Sequence, residues 1–183
     1  MRRSATSVLM AIAALLLVAL AAFVSYDMRV FQPRRAQLQA LLQQASPEER
    51  APPASIRRYL LASDPSGQPP SAAVARMLVA RFGVSRGGML AWHAHTLLWE
   101  RLLLLHLSQD EILALYGSLS YNGFGHGLSG LSQRLYAKPL RALSDPEAAT
   151  VVAVLWAPVP LLRDAERLER RRALLMERAR AAR

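Results

Sequence analysis

A chain of 183 residues has room for a membrane segment and one domain. The absence of cysteine excludes a disulfide framework and any thiolate metal site. The formal charge of +10 is almost wholly arginine, since Lys138 is the only lysine, and it points to anionic partners, either nucleic acid or phosphate-bearing lipid.

Residues Ser7 to Val24 are apolar apart from Ser7 itself, long enough at about 1.5 Å per residue to cross most of a bilayer core. Arg2 and Arg3 precede this run, so the positive-inside rule keeps the N-terminus in the cytoplasm and sends the rest across. Ala19, Leu20 and Ala21 also resemble a small-x-small cleavage site, so a signal peptide is the alternative. The run continues past that site, which favours a retained anchor. The membrane segment in turn favours lipid over nucleic acid as the anionic partner.

The expected division is an anchor over 1–25, a connector over 26–51 and a helical domain over 52–183. Within the polar connector, Leu38, Leu41 and Leu42 mark a short amphipathic helix from Arg34 to Gln44. Ser46, Pro47, Glu48 and Glu49 offer a helix cap, and Pro52-Pro53 a rigid entry into the domain. Helices are expected over Ser55–Ala62 and Ser71–Phe82, separated by a Pro- and Gly-rich loop. Met89 to Leu107 reads as a helix apolar nearly all round, either buried in a core or pressed against lipid. His93, His95, Glu100 and Arg101 interrupt it too often for a second span.

The stretch from Ser108 to Pro139 reads as helix, glycine-rich turn, helix. Ser108 stands three residues before Glu111 in a capping box, and Ile112, Leu113, Leu115 and Tyr116 supply an apolar stripe. Helix character is expected to fail at Gly117. Gly123, Gly125, Gly127 and Gly130 follow among Tyr121, Asn122, Phe124 and His126, and let the backbone take conformations closed to other residues. Ser144, Asp145, Pro146 and Glu147 repeat the capping box and launch a helix to Trp156, which Pro158 and Pro160 end. Leu161 to Arg183 is a final helix with eight arginines against four acids, read as solvated or membrane-facing. The fold class that follows is all-α.

This central stretch resembles the signature of the family 51 glycosyltransferases, the peptidoglycan transglycosylases. That family reads S-K-D-E-I-L-x-L-Y-L-N-x-x-Y-F-G-x-G, then Y-G-I-x-x-A-A-x-x-Y-F-G-K. Ser108, Asp110 to Leu113, Leu115, Tyr116, Tyr121, Gly123, Gly125, Gly127, Tyr136 and Lys138 fall on it. Downstream, Glu147-Ala148-Ala149, Ala157-Pro158 and Glu169-Arg170-Arg171 through Met176 resemble its later elements. The resemblance implies a lysozyme-like transglycosylase-type domain behind one N-terminal transmembrane helix, on the periplasmic side of a bacterial inner membrane. The partners it implies are a lipid-linked peptidoglycan precursor or glycan strand and cell-wall synthases, with no nucleic acid.

The departures bear on activity. The family's first catalytic element is Glu-Asp, and its Glu position is Ser63 here, followed by Asp64. The family's two glutamines fall on Ala75 and Arg76. Its R-K-x-x-E element, with a second Glu eight residues on, falls on Trp92, His93, Thr96 and Leu104, so both glutamates are lost. Glu100 lies one helical turn from each, a displacement of about 5 Å. The expectation is a catalytically impaired domain, with Asp64 and Glu100 as the remaining carboxylates. The alternatives are an active divergent glycosyltransferase and a scaffold without ligand binding. Substrate contacts are expected from Arg76, Arg81, Tyr121, Asn122, Gly123, Gly125 and Lys138. No resident metal is expected, since His93 and His95 point apart on a helix, although activity would admit a divalent cation.

Overall fold

A computed structural model of the protein describes residues 2–63, 69–85 and 87–181, with 2–8 as backbone alone. Among the described residues the structure is all-α, its only strand-like pairing being an antiparallel bridge between Tyr121 and His126. The chain divides into two compact units, Met1–Leu38 and Gln39–Arg183.

The first unit is helical throughout its described residues. Helix α1 (Arg2–Tyr26) passes into a π turn (Asp27–Phe31) and a 3-10 turn (Gln32–Arg34), and α2 (Arg35–Gln44) continues without a break. The helix expected over Arg34 to Gln44 is therefore continuous with α1. Pro33 is the residue that should interrupt the ladder, having no N–H to give. The π turn absorbs it: the Gln32 N–H reaches back to the Asp27 carbonyl, and Pro33 falls in the first positions of the 3-10 turn. The helix Leu9–Gln44 is long and apolar enough to cross a membrane, with mean hydropathy 2.5 over an unburied window.

The second unit is built around α9 (Asp145–Val154). Ala148, Ala149, Val151, Val152, Ala153 and Val154 are all buried, so this helix is apolar on every side and sits at the centre. Ile56, Tyr59 and Leu60 of α4 (Ala54–Ala62), Leu128 and Leu131 of α8 (Leu128–Tyr136) and Leu175 and Ala179 of α11 (Ala165–Ala181) pack with it. The remaining helices are α3 (Pro47–Arg50), α5 (Ser71–Arg81), α6 (Met89–His106), α7 (Gln109–Leu119) and α10 (Pro158–Arg163). Helices α5 and α6 pair, with the Phe82 and Trp99 ring centroids 5.6 Å apart. Pro158 and Pro160 do not end α9; they open α10, where the first turn has no use for the missing N–H.

Three capping boxes form as their sequences specify, at Ser46, Ser108 and Ser144. The Ser46 N–H donates to Glu49 Oε2 at 3.1 Å, and the Ser108 N–H to Glu111 Oε2 at 2.8 Å. Gly117 does not stop α7, which runs to Leu119. A Cβ there would lie 3.1 Å from Leu128 Cδ1, so the glycine serves close packing of α8 rather than a turn.

Candidate functional site

The turn after α7 is held from within. Asn122 is buried; its carboxamide donates to the Gly127 carbonyl at 2.7 Å and accepts from the N–H groups of Phe124 and Gly125. Gly123 and Gly127 sit at φ +92° and +94°, the left-handed region that side chains other than glycine avoid. Added Cβ atoms would strike Leu162 Cδ1 at 2.5 Å and Glu49 Oε1 at 2.7 Å, respectively. Glu49 is itself buried and accepts the Ser129 N–H at 2.9 Å, which satisfies the start of α8.

Against this turn lies an open groove of about 690 Å³. Ser63 at the end of α4, Ala72, Ala73 and Arg76 of α5, Tyr116 of α7 and Tyr121 of the turn form part of its lining. Val152 and Ala153 of α9, Trp156, and Arg171 and Leu175 of α11 form another part of its wall. Packing fixes the two arginine-bearing helices: α5 is held by buried Val74 and Leu78, and α11 by Leu175 and Ala179.

Arg171 is half-buried, its guanidinium stacked over the exposed Trp156 indole at 4.3 Å. Its Nε is enclosed with no hydrogen-bond partner. Burial lowers its pKa below the usual guanidinium value, and neighbouring Arg178 adds to the shift. Burial also raises the Tyr116 phenol, partly offset by the positive charges of Arg171 and Arg76. Two cations and a partly buried phenol therefore line one groove. None of the described lining residues is a carboxylate.

Of the residues singled out by sequence, Ser63, Arg76 and Tyr121 come together here. The Ser63 hydroxyl donates to the Leu60 carbonyl at 2.6 Å, within its own helix end. Thr96 is buried and donates to the Trp92 carbonyl at 2.9 Å. Glu100 accepts the Ser71 hydroxyl at 3.2 Å and is not among the lining residues. Asp64 lies outside the described residues.

Arg81 is exposed at the end of α5, away from the groove lining. Asn122, Gly123 and Gly125 shape the turn rather than the groove wall. Only Gly123 of the two glycines needs a left-handed backbone. Lys138 is ion-paired with Glu147 at 2.7 Å, joining the end of α8 to the start of α9. That pair holds the Glu147 carboxyl down at about 2, with the Ser144 N–H donating to the same group. No three His, Asp or Glu side chains among the described residues gather as a metal site would require.

Arg171, Trp156 and Tyr116 are the groove-lining residues that sequence reasoning did not single out as site candidates. A signal existed for Arg171: it shares a helix face with Leu168 and Leu175, at spacings of three and four residues. No family model and no curated protein sequence matches the chain.

Proposed function

We propose that the second unit is a family 51-like frame that binds a phosphate-bearing, lipid-linked cell-wall precursor and performs no glycosyl transfer on it. The observation that carries this reading is the groove itself: two arginines with no carboxylate among the described lining residues, and Ser63 where the resembled family has its general base. Arg171 and Arg76 would share phosphate oxygens, since guanidinium groups bind such anions through charge-assisted hydrogen bonds. Tyr121 and Trp156 are the aromatic lining residues that the sugar part would meet. The helix Leu9–Gln44 would anchor the chain in the inner membrane, with Arg2 and Arg3 inside and the groove on the periplasmic face.

Glycosyl transfer needs a group that takes the proton from the attacking hydroxyl as the bond forms. A positioned base contributes about 10²–10⁴ in rate. Ser63 cannot serve near neutral pH, and Glu100 is engaged by Ser71 outside the groove lining.

The test uses the purified full chain in detergent with lipid II, the lipid-linked disaccharide precursor. Calorimetry is expected to show binding, and gel analysis of products to show no glycan chains, with or without magnesium. Glycan chains would overturn the non-catalytic assignment. Failure to bind lipid II would overturn the ligand.

A further inference from the structure

Helix α6 has two apolar faces, and only one of them is covered. At 3.6 residues per turn, Thr96, Trp99, Leu102 and Leu103 share one arc, and all four are buried. Leu90, Ala94, Leu97, Leu104 and Leu105 occupy the opposite arc, about 100° wide, and all are exposed. Leu90 is 84% exposed, Leu105 65% and Met89, at the helix start, 73%. Leucines spaced along one side of an 18-residue helix form a continuous stripe rather than scattered surface residues.

We infer that this outward face of α6 lies on the lipid surface of the membrane that Leu9–Gln44 spans, with the leucines in the boundary between headgroups and acyl chains. Three observations select lipid as the occupant. The span tethers the unit covalently to a bilayer, which raises the local concentration of that surface far above that of any diffusing partner.

The described charges on α5 and α6 outside the groove suit anionic headgroups: Arg81 and Arg101 are exposed, and the single acid, Glu100, accepts the Ser71 hydroxyl. Arg101 lies within the exposed arc, where a long aliphatic stem can rest among leucines while the guanidinium reaches the headgroups. The inference rests on the reading of Leu9–Gln44 as a span.

The absence of cysteine makes the test direct, because an introduced cysteine is the only thiol in the chain. Leu97→Cys, Leu104→Cys, Ala173→Cys and Leu16→Cys are each labelled with an environment-sensitive fluorophore. The full chain is placed in vesicles of phosphatidylethanolamine and phosphatidylglycerol that carry spin-labelled lipid. Ala173 is exposed on α11 and serves as the aqueous control, while Leu16 reports the anchor.

The expected result is lipid quenching at Leu97 and Leu104 severalfold stronger than at Ala173, weakened by Arg101→Glu. All labelled sites are exposed, and circular dichroism checks that each variant is folded. Quenching at Leu97 and Leu104 no stronger than at Ala173 overturns the inference. Labels shielded from water yet untouched by lipid quencher also overturn it, because a second copy or another protein then covers the face. Quenching at Leu16 without quenching at Leu97 removes this inference and leaves the anchor. No quenching at Leu16 removes the anchor reading and this one with it.

Discussion

The turn between α7 and α8 and the groove beside it treat their polar groups in opposite ways. In the turn, Asn122 serves three backbone groups, Glu49 satisfies Ser129, and just beyond α8 Lys138 is answered by Glu147. In the groove, Arg171 is stripped of part of its water, pushed by Arg178 and given no carboxylate among the described lining residues. A polar group paired inside the protein is used in holding the fold together. A half-buried cation left unpaired weakens the fold slightly and remains free for an anion. The difference separates the architectural residues of the resembled signature from those that can meet a ligand.

The sharpest way to break the contrast is Asn122→Ala. It leaves a buried carbonyl and two N–H groups without their partner, and about 3 kcal/mol of stability is expected to go. Denaturant unfolding followed by circular dichroism measures it. Lipid II affinity of the folded fraction should not change, because Asn122 does not line the groove. A loss of affinity with stability intact would place Asn122 among the ligand contacts instead.

Arg171→Ala should behave in the reverse manner. Binding is expected to fall about tenfold, or about 1.4 kcal/mol, by the loss of one charged contact. Stability should hold or rise slightly, since the substitution removes a desolvated charge and its repulsion from Arg178. Arg171→Lys keeps the charge but loses the flat stack on Trp156, so it should restore only part of the affinity. Calorimetry and unfolding on the same preparations separate the two effects. A destabilised Arg171→Ala would show that the guanidinium belongs to the fold.

How far these roles could be read beforehand differs residue by residue. Ser46, Ser108 and Glu111 were legible, because a capping box is a local device whose partners are three residues apart. The all-α class was legible for the same reason: helices write their period into nearby sequence. Gly117 misled, since a glycine that permits close packing cannot be told from one that breaks a helix without knowing what lies opposite. Leu128 is that neighbour. Asn122 was legible as a turn residue, while its three hydrogen bonds depend on how the turn closes.

Glu100 stood near the expected position of a carboxylate, yet the side chain it faces, Ser71, comes from another helix. Arg171 was hidden by its own kind. Six arginines populate α11, and only tertiary contacts decide which one is folded inward. The groove assembles α4, α5, α7, α9 and α11, so its lining is a property of the fold rather than of any one stretch.

The smallest effect tests the architectural side again, through pH. Lys138 is the main reason that the folded Glu147 carboxyl titrates at about 2, below its ordinary value near 4.5. A carboxyl lowered by folding stabilises the fold at pH values above its unfolded pKa, and that contribution is lost as pH falls toward the folded one. Glu147→Gln should therefore melt lower than the parent at neutral pH. The gap should close as pH drops from about 4.5 to about 2, and not as pH rises. Lys138 is 43% exposed, so solvent and salt screen the pair, and the melting difference should shrink in high salt as well. Lipid II affinity should be indifferent to the substitution at every pH in that range where the protein stays folded. If Glu147→Gln instead weakens binding at neutral pH, Lys138 reaches the ligand, and the boundary between paired architecture and open groove lies nearer to α9 than the lining residues indicate.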